Sequence, residues 1–289
     1  MRNAQPTAGP GHGARFFIIG LDDTDMPDTP GTNQLARRIA DALPPGFTFD
    51  VVLRHQLLFD PRIPYTSHNG CASIGVRAAP GHTATDLLDP LRHLIREFAP
   101  LGSDPGLCIL DRGFREDGRP VSDHRPVAET GIPATVPSFA ERCQREPVHQ
   151  ADALAHARSL GIHLEPLGGT GDGIIGALAA VGLRAGNNDG RVVHRPGWPW
   201  PDPFVGPQPV PAILARGVDQ IRLHDDVELP AHRDTADAAT DDDFTVTTGV
   251  VDLGKHLRPS FRNGKVVLFV RPAAGANGPP TRWQALKLP

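Results

Sequence analysis

The sequence predicts an α/β (α+β) protein of two domains, and three observations carry that prediction. A chain of 289 residues suits two cores of ordinary size better than one. Its first third alternates short apolar runs with amphipathic stretches, the pattern of strands and helices packed in layers. After an interruption rich in Pro and Gly, a second alternation begins and passes into a tail of β-branched runs.

"RFFIIGLDD" reads as a buried strand that ends at turn residues, and "TNQLARRIADAL" then sets Leu35, Ile39 and Leu43 on one helical face. "FTFDVVLRHQLL" and "CASIGVRA" read as strands, "TATDLLDPLRHLIREF" as an amphipathic helix and "PGLCILD" as a further strand. These define a first domain over 14–112. Residues 113–147, with "RGFREDGRPVSDHRPVAETGIPATVPSF", read as a linker or surface excursion. A second domain is expected over 148–289. It has a helix and strand in "QADALAHARSLGIHLEPL", a helix of small residues in "DGIIGALAAVGL" and a strand in "GRVVHR". "PGWPWPDPFVGPQPVP" is too rich in Pro for regular structure, and its Trp198, Trp200 and Phe204 are expected to lid a core. Beyond the acidic stretch "DTADAATDDD", "FTVTTGVVDLG" and "GKVVLFVRP" read as strands, and "FRNGKVVLF" carries an Asn-Gly turn signal.

Composition excludes several functions. Net charge is −4 with a pI near 6.3, so no global basic field draws nucleic acid, and any RNA contact would be local. The lysines are Lys255, Lys265 and Lys287, which rules out a Walker-type lysine in the first domain. Cys71, Cys108 and Cys143 form no C-x-x-C pair, against a zinc ribbon, an iron–sulfur site or a disulfide framework. No signal-peptide pattern opens the chain and no apolar run is long enough to span a bilayer; a cytoplasmic protein without a membrane partner is expected.

Chemistry concentrates in "GLDDTDMPDTPGTN". Asp22, Asp23 and Asp25 lie where a strand releases into a loop, and clustered carboxylates of this kind suit Mg2+ shared with substrate phosphates. The alternative is an Asx turn with solvent-facing carboxylates. Thr32 stands at the helix start, either as an N-cap or as a hydroxyl that meets a phosphate at the positive helix end. "FDPRIPYTSHNGCASI" offers Arg62, Ser67, His68 and Asn69 as a binding loop, or as a plain connection between two strands. Gly171, Gly173 and Gly176 match G-x-G-x-x-G, but the following strand ends in His194 and Arg195 instead of an acid. A tight turn or phosphate cradle is favoured there over a nicotinamide site. His55, on an apolar strand, reads as a satisfied core histidine.

"IGLDDTD", "DPRIPYTSHNGCASI", "SDPGLCIL" and "GDGIIGALAAVG", in this order across residues 16–195, resemble the agmatidine synthetases of isoleucine tRNA, which modify an anticodon cytidine. The resemblance implies a kinase-like first domain and a ferredoxin-like second domain. It implies use of ATP and Mg2+ to activate a carbonyl oxygen, after which an amine displaces the phosphate. It places Asp22, Asp23 and Asp25 on metal and phosphates and makes Thr32 the phosphorylated threonine. It puts His68 and Asn69 in a phosphate-binding loop, although Ser67 and His68 stand where the family tends to carry basic residues; Thr24, Arg62, Ser67 and Gly70, with Gly171 and Gly173, are further candidates for cofactor binding. The chain departs from the family in its short, partly acidic tail without C-x-x-C, so no tRNA clamp of its own is expected. "GTN" stands where the family has Cys-Thr-Thr. The function expected is an ATP- and Mg2+-dependent phosphotransferase or synthetase acting on an RNA base or a small metabolite. The alternatives are a non-catalytic nucleotide-binding regulator and a dinucleotide-dependent oxidoreductase.

Overall fold

β1 (Arg15–Asp22) alternates its apolar side chains between two cores: Phe16 and Ile18 enter one, and Phe17, Ile19 and Leu21 the other. The run is apolar throughout because both faces of the sheet are covered. The computed structural model describes residues 15–65, 68–112, 132–224, 245–273 and 281–288, and its chain divides into two units. The fold is α+β, in agreement with the sequence.

In the first unit β1 is followed by α1 (Thr32–Asp41), β2 (Phe47–Gln56), β3 (Gly70–Ala78), α2 (Thr85–Phe98) and β4 (Gly106–Asp111). Then come α3 (Thr135–Cys143), α4 (Gln150–Leu160), β5 (His163–Pro166) and α5 (Gly173–Ala185). The strands lie in the order β5-β4-β1-β3-β2 with antiparallel neighbours. Leu35, Ala36 and Ile39 of α1 and Leu87, Leu91 and Ile95 of α2 cover one face, in the periodicity read from the sequence. α3, α4 and α5 cover the other.

This arrangement revises two expectations. Residues 113–147 contain α3, whose Val136, Phe139, Ala140 and Cys143 are buried in the core; residues 113–131 lie outside the described residues. The boundary expected at 148 falls instead near Asn187, because α4, β5 and α5 pack on the first sheet. The small residues of α5 explain why: a Cβ on Gly20 of β1 would lie 2.0 Å from the Ala177 carbonyl, and one on Gly106 of β4 would lie 2.1 Å from that of Gly173. Strand and helix approach with backbone against backbone.

The chain passes to the second unit through β6 (Arg191–His194). That unit comprises β7 (Pro207–Pro209), α6 (Val210–Ala215), β8 (Gln220–Leu223), β9 (Val250–Asp252), β10 (Ser260–Arg262), β11 (Lys265–Pro272) and β12 (Arg282–Ala285). β11 pairs antiparallel with β10 and β12 and parallel with β8, while β9 joins β12 to β7. Between β10 and β11, Asn263 and Gly264 both take positive φ, 49° and 71°, the two-residue turn the sequence signals. In the Pro-rich segment Trp200 is exposed, and Trp198 and Phe204 flank Arg216 at 5.6 and 5.0 Å, with Asp202 completing an ion pair at 2.7 Å. The aromatic pair thus holds a cation in place of lidding a core.

Candidate active site

Strand register assembles one edge of the first sheet. Leu21 of β1 lies opposite Ala72, which in turn faces Arg54 of β2, and Asp22 lies opposite Gly106. The end of β1, the loop between β2 and β3, the loop entering β4 and the turn before α5 therefore meet along one rim. The neighbours are antiparallel, so this rim mixes strand starts and ends.

Asp22 continues the β1 alternation onto the α5 face. Gly176 leaves it room, since a Cβ there would sit 1.7 Å from Asp22 Oδ2. Burial, with Asp23 beside it, pushes the Asp22 carboxyl up to about 8. Asp23 is raised to about 6 by burial and by the nearby carboxylates Asp104, Asp25 and Asp172. Its backbone is left-handed at φ 51°, uncommon for a residue with a side chain, and its carbonyl accepts from the Asp104 amide at 3.0 Å. The three loop aspartates lie near one another, yet among the described residues no group of three His, Cys, Asp or Glu side chains is placed to hold a metal ion.

Thr32 opens α1, but the N-cap is Gly31. The Thr32 hydroxyl donates to Asp25 Oδ1 at 3.0 Å, and the buried Thr24 donates to the same hydroxyl oxygen from its own side chain at 3.2 Å. Thr32 is 4% exposed. Its hydroxyl is thus committed to the acidic loop and not to a helix amide, against the N-cap alternative.

In the loop after β2, Ser67 lies outside the described residues. Arg62 is folded back on Asp60, with Nε and Nη2 at 2.8 and 2.7 Å, and holds that carboxyl down to about 2. The Asn69 side chain donates to the Leu58 carbonyl at 2.5 Å, and Gln56 donates to the carbonyls of His68 and Asn69 at 2.6 and 3.1 Å. Beneath the loop lies Arg54, whose guanidinium would be 2.7 Å from a Cβ on Gly70. Its hydrogen bond goes to the neutral Gln56 side chain at 2.8 Å, and burial lowers its pKa. Arg54 is the loop's available cation; Arg62 is already paired. His55 donates or accepts at Ser73 Oγ at 2.8 Å in the core, the satisfied histidine expected.

The glycine-rich turn already has an anion. The Asp104 carboxylate accepts from the amides of Thr170, Gly171 and Asp172 at 3.0, 2.6 and 3.2 Å, and from the Thr170 hydroxyl. The phosphate cradle expected at Gly171 and Gly173 is thereby filled from within the chain, and the dinucleotide reading loses its pyrophosphate site. Gly171 supplies φ 90°, and Gly173 allows the Asp104 carbonyl within 2.0 Å of where a Cβ would stand.

The chain is similar to TiaS, a tRNA agmatidine synthetase. Apo TiaS matches with a TM-score of 0.45 and 23% identity, over 58% of this chain and 35% of TiaS. TiaS bound to its tRNA and ATP, and a tRNA fluorescent labeling enzyme, each match with a TM-score of 0.45 and 24% identity, over 58% of this chain and 36% of theirs. The chain thus spans about a third of the length of the TiaS structures it matches. No family profile and no curated protein matches it.

Asp104, Asp172 and Arg54 escaped sequence reasoning. Asp104 follows Ser103 in "SDPGLCIL", a stretch singled out in the TiaS-family resemblance for its Pro-Gly strand and not for its acid. Arg54 opens the polar end of β2, before His55 and Gln56, a signal available but easily taken for a strand running out into solvent.

Proposed function

We propose that this chain is an ATP- and Mg2+-dependent phosphotransferase of synthetase type, which transfers a phosphoryl group to a carbonyl oxygen of an RNA base or small metabolite so that an amine can displace it as phosphate. The observation that carries the reading is the hydrogen bond from the Thr32 hydroxyl to Asp25 inside the acidic loop. It orients a hydroxyl beside a proton acceptor at a helix start, as phosphoryl transfer to or through Thr32 requires.

The donor chemistry fits magnesium bound by few protein ligands. Asp23, whose proton is held by burial and by the surrounding carboxylates, and Asp25 would contribute one oxygen each, with phosphates and water completing the shell. The ion would neutralise phosphate charge. Asp22, set back beneath Gly176, serves the floor of the site. Arg54, under Gly70, takes the role of phosphate cation that Arg62 cannot fill while paired to Asp60, and Asn69 holds the loop in place.

Intact mass after incubation with ATP and Mg2+ tests this. A gain of one phosphoryl group in the wild type and none in Thr32→Ala supports the reading; ATP bound without any gain supports the non-catalytic regulator. The burial of Thr32 is the observation in that second reading's favour.

A further inference from the structure

The second unit carries a cluster of cations that the phosphotransfer site does not use. Lys255, His256 and Arg258, in the connection after β9, and Lys287, after β12, line a cleft of about 200 Å³ whose apolar part includes Leu253 and Leu286. Among the described residues no acidic side chain lines it. None of the four makes an ion pair or hydrogen bond among the described residues, whereas Arg216 and Arg62 are each paired to an Asp. The nearby Asp252 accepts from the Gly254 amide at 2.9 Å.

The backbone that presents these cations is held. The Leu253 amide donates to the Gly206 carbonyl at 2.9 Å, the Gly254 carbonyl accepts from Gly206 at 2.8 Å, and the Leu286 amide donates to Phe269 at 2.9 Å. Leu253 and Leu257 are buried on either side of the exposed Lys255 and His256. Around the cleft itself the charged lining is wholly cationic, although the whole chain is acidic. Two of the three lysines of the chain converge here.

From this geometry we infer that the cleft is an anion site for a small phosphate ester, separate from the phosphotransfer site. Two ammonium groups and a guanidinium more than offset the charge of a phosphate dianion. Leu253 and Leu286 give the organic body of the ligand a surface to lie on, which inorganic phosphate would not use.

Calorimetric titration of the full chain tests this with ribose 5-phosphate, inorganic phosphate and a short single-stranded RNA as probes. Ribose 5-phosphate is expected to bind saturably and more tightly than inorganic phosphate. Its affinity should fall by about tenfold or more in Lys255→Ala/Lys287→Ala, the loss expected when two charge-assisted contacts go. Asp23→Asn, in the phosphotransfer site, should leave it unchanged, and the double variant should retain any gain of mass from ATP. Absence of saturable binding, or equal binding by the double variant, overturns the assignment. RNA binding more tightly than the sugar phosphate and lost in the same double variant overturns it in favour of a polyanion surface.

Discussion

The Thr32 hydroxyl points its proton at Asp25 Oδ1 across 3.0 Å while accepting from Thr24 at 3.2 Å. Both partners lie on the loop that β1 releases, so the start of α1 and the acidic segment are tied through one oxygen atom.

Altering either end of that bond separates chemistry from packing. Asp25→Asn should slow phosphoryl gain by about 10²-fold, the scale of losing a proton acceptor. Thr32→Ser, which keeps the hydroxyl, should retain it. Thr32→Ala should also cost about 1 kcal/mol of stability, the net worth of a buried hydrogen bond. Quenched time courses by mass and urea unfolding measure the two effects.

The raised Asp22 and Asp23 carboxyls set a pH dependence. A native carboxyl held above its unfolded value of 3.8 resists ionisation, so the contribution of these two groups to stability is fully present below about pH 4 and is lost as pH rises toward about 8. Asp22→Asn removes the larger part of that decline; its Tm should exceed that of the wild type near about pH 8 and approach it near about pH 5. Magnesium should raise the wild-type Tm at the higher pH and do so less in Asp23→Asn.

Removing the anion of the glycine-rich turn should leave its amides without an acceptor. Asp104→Ala is expected to lose about 2–3 kcal/mol, as for hydrogen bonds to a charged group. Millimolar sulfate should restore part of that loss by occupying the same amides, and should do nothing for the wild type. Thermal melts with and without sulfate distinguish this from simple loss of packing.

The two arginines near the 57–70 loop should behave differently. Arg54→Gln is expected to weaken ATP binding by on the order of tenfold, the effect of losing a charge-assisted phosphate contact. Arg62→Gln, which disrupts an exposed pair with Asp60, should change it little. Titration with ATP in the presence of magnesium decides between them.

Local pattern made much of this fold legible. The β1 run, the α1 face of Leu35 and Ile39 and the Asn263–Gly264 turn follow from periodicity and turn chemistry. The domain boundary was misread because "TGIPATVPSF" looks like a break, although Val136 and Phe139 within it bury against α5 and its neighbours. The small residues of α5 announced a helix but not its partner, since only the fold brings Ala177 to Gly20. At the site, the acidic loop was visible as composition. The claim of Asp104 on the turn at 170–172 was not, because 66 residues separate donor from acceptor.

Gly106 and Gly173 press β4 and α5 together until a single added methyl would strike main-chain atoms. Mechanically this is a weld: the strand that Asp104 leads into and the helix that follows the turn at 170–172 are held as one rigid plate. A ligand arriving at Asp23 therefore meets an anvil. The give needed to admit and release it falls to the 24–31 segment on the other side of the rim.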